Sequence, residues 1–181
     1  MKLLIASDIH GDLKSARLIF DTFAKEKCDK ILLLGDLLYH GPRNDLPSSY
    51  NPKAVIELLN DNRNLLLAVR GNCDTEVDQM VLNFPILADY VCLSLDGLTV
   101  YATHGHKFNV DTPLPLLRGD ILLHGHTHIP TCSEFGDENY YLNPGSAAIP
   151  KGNFNKSYMI YKNRCFTVKD FDGNIILTKQ F

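Results

Sequence analysis

The sequence predicts a mixed α/β layered domain in which two β-sheets pack together with helices outside. Three observations carry that expectation. The first half alternates short apolar runs with amphipathic stretches, in the order β-α-β-α-β. The second half is mostly strand-like, with two-residue turn signals between the runs. The chain has 181 residues, 45% hydrophobic and 22% charged, which suits one soluble domain over 1–181 with a substantial core.

Residues 2–7, KLLIAS, read as a short buried strand. Asp12 is placed to cap a helix over 13–27, where Leu13, Ala16, Ile19, Phe20 and Phe23 make one apolar face. KILLLGD (30–36) reads as a second buried strand. Asn51 followed by Pro52 is a cap and first-turn pair for a helix through Asn62. A third buried strand follows in NLLLAVRGN (64–72), then a short helix in TEVDQMVLN (75–83). Beyond it, VCLSL and LTVYATH flank Asp96-Gly97 as a hairpin. DILLH and NYYLN are further strands, and SYMIYK, RCFTVK and NIILTKQ close the chain with turns at Asn163 and Asp172-Gly173. The stretch 39–52, rich in proline and polar residues, reads as a loop or lid.

Charge and composition narrow the function classes. A formal charge of −3 gives no broad basic surface for a nucleic-acid polymer. The apolar run after Lys2 stops at Asp8, too short for a secretory core, and no stretch reaches the roughly 18–20 apolar residues of a membrane span. Five cysteines lie far apart without a C-x-x-C pair, which points to a reducing compartment and a cytoplasmic protein.

Chemistry collects at the strand ends. The first strand runs into Asp8-Ile9-His10-Gly11-Asp12, the second into Gly35-Asp36, and the third into Gly71-Asn72-Cys73-Asp74. The hairpin's second strand runs into His104-Gly105-His106, and ILLHGHTH (121–128) delivers His124, His126 and His128. Singly, each has an ordinary reading: an Asp caps a helix, Gly-Asn makes a turn, a buried histidine is hydrogen-bonded. Together they place six of the seven histidines within or beside five strand ends, which is where ligand sites form in open α/β sheets. The inventory suits two metal ions, with a carboxylate able to bridge ions about 3.5–4 Å apart. Oxygen and imidazole donors without clear thiolates favour divalent transition ions; Mn2+ is expected, with Zn2+, Fe or Ni2+ the alternatives.

The ordered set DIHGD, GD, GNCD, HGH and GHTH resembles the calcineurin-like metallophosphoesterase superfamily. The segments LYHGPRN, VRGNCDTEVDQM and NPGS are most similar to its bacterial YfcE-type phosphodiesterases. The resemblance implies a four-layer α-β-β-α sandwich. It also implies that Asp8, His10 and His128 hold one metal and Asn72, His104 and His126 the other, with Asp36 bridging. His124 lies outside the family pattern and reads as structural.

The implied reaction is hydrolysis of phosphodiesters by a hydroxide shared between the ions, attacking phosphorus in line. Many relatives carry histidine after the Gly-Asn pair; here it is Cys73, a weaker proton donor without positive charge. That predicts a preference for aryl-like leaving groups unless His106 or a water supplies the proton. Asp74 either orients position 73 or caps the next helix, while His40 and Arg43 of the loop are candidates to meet a substrate phosphate. Asn143 and Ser146 of NPGS either line the site or make a turn. The expected partner is a small-molecule phosphodiester, with no membrane, and the hairpin edge is available for a homo-oligomer. The competing reading is a binding or scaffold protein on the same fold. Retention of His10, His104, His126 and His128 together argues for the enzyme.

Overall fold

The computed structural model describes residues 1–181. Strands β1 (Lys2–Ala6), β2 (Lys30–Leu33) and β3 (Leu66–Ala68) alternate with helices α1 (Leu13–Glu26), α2 (Pro52–Asp61) and α3 (Glu76–Val81). Eight further strands follow without a helix: β4 (Tyr90–Leu95), β5 (Leu98–Thr103), β6 (Ile121–Leu123), β7 (Thr131–Phe135), β8 (Asn139–Asn143), β9 (Ser157–Lys162), β10 (Cys165–Asp170) and β11 (Ile175–Gln180).

Local chemistry explains most of the boundaries. Asn51 Oδ1 accepts from Ala54 N at 3.2 Å, and Pro52, with no amide proton to lose, opens α2. Thr75 and Asp78 form a reciprocal capping box that starts α3. Asp12 stands at the N-cap of α1 but its carboxylate bonds no helix amide; it accepts from Ser15 Oγ and Lys156 Nζ, each at 2.7 Å. Asp96 and Gly97 both have positive φ (50° and 83°), as the tight turn between β4 and β5 requires.

The strands assemble into a six-stranded sheet, order β11-β10-β9-β1-β2-β3, and a five-stranded sheet, order β4-β5-β6-β8-β7. Their facing sides share one core, in which Leu3, Ile5, Leu32 and Leu34 meet Val100, Ala102, Ile121 and Leu123. The alternate residues Leu4, Ala6, Ile31 and Leu33 point to the other side, where Ala16 and Ile19 of α1 and Val55 and Leu59 of α2 cover them. Each leucine, isoleucine or valine among them, fully withdrawn from water, contributes about 1.5–3 kcal/mol before conformational entropy is set against it.

The mixed α/β class and the two packed sheets stand as expected, and one layer differs. No helix lies on the outer face of the five-stranded sheet. The irregular connection 104–120 runs there instead, with Phe108 edge-on to Tyr90 at 6.1 Å, while Leu122 on that face is fully buried. Two glycine- or proline-containing stretches and no regular apolar spacing leave this segment nothing to propagate a helix from. A second difference is β7, an edge strand pairing antiparallel with β8, which the sequence reading did not foresee. Residues 39–51 hold no helix or strand beyond a single bridge between Tyr50 and Asp12, and the last residue of the stretch read as a loop, Pro52, opens α2.

What matters for the site is direction. β1, β2 and β3 run parallel, as do β5, β6 and β8, so each sheet delivers three carboxyl ends together.

Candidate metal centre

Five of the seven predicted ligands leave those strand ends in the left-handed backbone region: Asp8 (φ 60°), His10 (49°), Asp36 (56°), His126 (65°) and His128 (63°). For residues with a Cβ this conformation costs on the order of 1 kcal/mol each, so the surrounding fold has to enforce it. The geometry turns successive side chains of each loop inward. Gly71 makes room for one of them, because a Cβ there would stand 2.1 Å from Asp36 Oδ1.

On one side of the cleft, His128 Nε2 lies 3.1 Å and His10 Nε2 3.6 Å from Asp8 Oδ1, and the two imidazole nitrogens are 3.4 Å apart. His10 Nδ1 donates to the Tyr39 carbonyl at 2.8 Å and His128 Nδ1 to that of Ile149 at 2.5 Å. A carbonyl only accepts, so both Nδ1 atoms carry the proton and both Nε2 atoms of the neutral rings present lone pairs. Two lone pairs therefore face one another beside a buried carboxylate oxygen that has no hydrogen-bond partner. Positive charge placed among these atoms relieves that arrangement, and this donor set fits a metal ion.

The other side repeats the logic. His104 Nδ1 donates to the Leu34 carbonyl at 2.6 Å, leaving Nε2 facing Asn72 Oδ1 at 3.1 Å and His126 Nδ1 at 3.2 Å. Between the groups stands Asp36, whose Oδ2 is 3.8 Å from His10 Nε2 and 3.5 Å from His104 Nε2. Its Oδ1 is engaged by the Cys73 amide at 2.8 Å. One carboxylate oxygen thus faces both donor groups.

The electrostatics favour positive charge here. Burial alone would raise the Asp8 carboxyl, but the adjacent His10, His128 and His104 imidazoles outweigh it and hold Asp8 well below the usual range. Burial and the neighbouring His104 push His126 down. Burial, then the charges of Asp36 and Asp74, push the Cys73 thiol far up, so it stays protonated and neutral.

The remaining predicted residues divide. Arg43 lines a cleft of about 440 Å³ together with His10, Asp36, Asn72, Cys73 and His126. His40 does not line it, and packs edge-on against Tyr39 (4.7 Å) and Tyr50 (5.4 Å) instead. His106 also stands outside the lining, 5.4 Å from His104 ring to ring. Burial and the adjacent His104 bring it down to about 4, so at neutral pH it has no imidazolium proton to give. Asp74 neither caps α3, whose cap is Thr75, nor reaches the cleft. Its carboxylate accepts from the amides of Asp36 (2.8 Å), Leu37 (2.9 Å) and Gly71 (2.7 Å) and so clamps the Asp36 loop.

His124, read as structural, is buried and stacked on Tyr141, centroids 4.2 Å apart. Asn143 and Ser146 act from behind: Asn143 Nδ2 donates to the Gly125 carbonyl at 2.9 Å, and Ser146 Oγ to that of Asp8 at 3.1 Å. Lys151 on the cleft wall escaped the sequence reading. A lone lysine after proline carries no motif, although its amide bonds the His128 carbonyl at 3.2 Å and so ties it to the ligand loop.

Tautomer-fixed histidines and carboxylates gathered at the carboxyl ends of two packed sheets make a candidate metal centre. The chain belongs to the calcineurin-like phosphoesterase superfamily, whose domain model matches residues 1–164. It is 44% identical over 179 residues to Phosphodiesterase YfcE of Escherichia coli strain K12, covering 99% of this chain and 97% of that protein. The solved structure of YfcE, a phosphoesterase from E. coli, superposes with a TM-score of 0.95 at 43% identity, covering 99% of this chain and 98% of that one. Phosphodiesterase MJ0936 of Methanocaldococcus jannaschii is 27% identical over 153 residues, covering 80% of this chain and 83% of its own.

Proposed function

We propose that the protein is a dinuclear phosphodiesterase acting on small-molecule diesters, with Mn2+ as its working ion. Asp8, His10 and His128 would hold one ion, Asn72, His104 and His126 the other, and Asp36 would bridge them. The supporting observation is the single Asp36 oxygen that faces His10 Nε2 at 3.8 Å and His104 Nε2 at 3.5 Å. When bound, the ions would supply Lewis acidity towards a water and towards the charge on the phosphate oxygens.

The chain's own groups do the rest. Arg43 and Lys151 line the cleft as positive charges and attract the anionic substrate. Asp74 keeps the bridging loop in place through three amides. Cys73, protonated and neutral, offers the departing oxygen little help. Diesters with acidic, aryl-like leaving groups are therefore the better substrates. No helix is long and apolar enough to cross a membrane, and the five free cysteines suit the cytoplasm as the site of action.

The test uses Mn2+-loaded protein with bis(p-nitrophenyl) phosphate and a dialkyl phosphate, alongside a metal titration. The expected results are two equivalents of metal per chain, turnover of the aryl diester, and resistance of the alkyl one. Asp36→Asn is expected to lower kcat/KM at least about 100-fold. Uptake of one equivalent or less by the unaltered protein refutes the dinuclear reading. No turnover of either ester favours a binding protein instead.

A further inference from the structure

The cleft holding the candidate metal ligands has a neighbour of the same size and opposite character. This second cavity, also of about 440 Å³, is lined by Leu38, Tyr39, Tyr50, Ile56, Val77 and Val81 with few polar groups. The metal cleft, by contrast, has a single hydrophobic residue in its lining. The two meet at Cys73, which belongs to both walls. The loop 39–52 forms the ridge above it: Gly41 to Asn44 face the metal cleft, while Tyr39 and Tyr50 face the apolar groove.

The groove is open. Val77 is 68% exposed, Val81 42% and Tyr39 41%, clustered where a water-filled apolar surface carries a standing free-energy cost. Nothing in the chain covers it. A cleft lined by Arg43 and Lys151 and joined at Cys73 to an aromatic and aliphatic groove is complementary to a molecule with an anionic phosphate at one end and an apolar group at the other.

We propose that the groove is a second substrate subsite, taking an apolar ester arm, aromatic or aliphatic, of a phosphodiester whose phosphate sits in the metal cleft. The proposal rests on the phosphodiesterase reading and adds a substrate class to it. Cys73 serves this arrangement through size: a small side chain stands where the two walls meet, and a bulkier one there would narrow the junction.

The experiment is a homologous series of symmetric diesters: diphenyl phosphate and its bis(4-methylphenyl), bis(4-ethylphenyl) and bis(4-butylphenyl) analogues, with Mn2+-loaded enzyme. Para-alkyl groups barely change the acidity of the departing phenol, and the two arms are identical, so a trend in kcat/KM reports apolar contact. In the unaltered enzyme kcat/KM is expected to rise about twofold per added carbon, the part-buried fraction of full methylene transfer. Val77→Asp and Val81→Ser, at solvent-facing positions of α3 where folding is not at stake, are expected to flatten the rise and lower the butyl-to-phenyl ratio about tenfold. The ratio cancels any general loss of activity.

A flat series in the unaltered enzyme, or a slope unmoved by either substitution, overturns the groove alone, since the parent ester is still cleaved. Failure to cleave any member overturns the diesterase reading and the groove with it. A concentration-dependent dimer that Val77→Asp dissociates, together with a flat series, assigns the groove to a second copy of the chain and also overturns the proposal.

Discussion

At Asp74 a single carboxylate meets three backbone amides, those of Asp36, Leu37 and Gly71, with no cation in contact. Burial raises it to about 6, with the charge of Asp36 adding to the rise and the three amides opposing it. Its worth lies in what would be left behind without it. Buried amides stripped of an acceptor cost about 1–3 kcal/mol each, and the Asp36 loop is already held in the left-handed region. Asp74→Asn replaces one accepting oxygen by a donor and sets it against an amide. It should weaken metal binding about 10–100-fold while leaving every ligand in place, measured by competition with a chelator of known affinity. A variant that binds metal normally would show the clamp to be idle.

The residue scale also separates what sequence could and could not tell. Asp8, His10, Asp36, His104, His126 and His128 were legible because they follow apolar runs at once, and strand ends of parallel sheets converge. The role of Asp74 was not, since a carboxylate that serves amides 37 and 38 positions upstream leaves no local trace. Lys151 was hidden for the same reason.

Among the elements, α1 carries a contact that only the assembled sheet explains. Its last residue, Glu26, sits where the helix dipole disfavours a negative charge. Lys2 of β1 and Lys169 of β10 each reach it at 2.7 Å, and Lys2 Nζ also donates to the Glu26 carbonyl at 2.5 Å. Hydrogen bonding to Lys169 and then Lys2 draws the Glu26 carboxyl from its ordinary 4.5 down to about 2. A depressed carboxyl stabilises the folded chain above its unfolded value. That contribution shrinks as pH falls below about 4.5 and is gone near 2. Glu26→Gln should cost about 1 kcal/mol at pH 7, allowing for solvent screening of a partly exposed group. Urea midpoints of both proteins from pH 7 to pH 3 should converge; a gap that stays constant would remove the charge from the account.

Element boundaries followed local signals where those signals were strong, as in the Asn51-Pro52 start of α2 and the Asp96-Gly97 turn. They failed where pairing decides. β7 has no strict alternation and exists because β8 offers its edge, and β3 shrinks to Leu66–Ala68 because a tight helical turn at Arg63–Leu65 takes its start.

At the scale of the whole molecule, the site is a joint between two sheets. Asp8 and Asp36 come from the six-stranded sheet, His104 and His126 from the five-stranded one, and the His126 amide donates to Asp8 Oδ2 at 3.1 Å. Below this rim the sheets meet chiefly through apolar packing, which has no preference for one relative position beyond shape, with polar links such as Tyr161 Oη to Asp96 Oδ2 at 2.7 Å towards the far edge. Above it, facing lone pairs and left-handed ligand loops work against closure unless a cation is present. Metal binding should therefore stabilise the entire fold, since a ligand bound only by the native state shifts unfolding by mass action. At metal concentrations about 100 times Kd the gain is about 2.7 kcal/mol, or roughly 5–10 °C in Tm for a chain of this length. Thermal unfolding with excess Mn2+ and after chelation measures it directly. Asp36→Asn, which removes the oxygen facing both groups, should lose more of that increment than Asn72→Ala, which affects one group only. Equal melting temperatures with and without metal would mean that the rim is preformed and carries none of the strain inferred from its backbone.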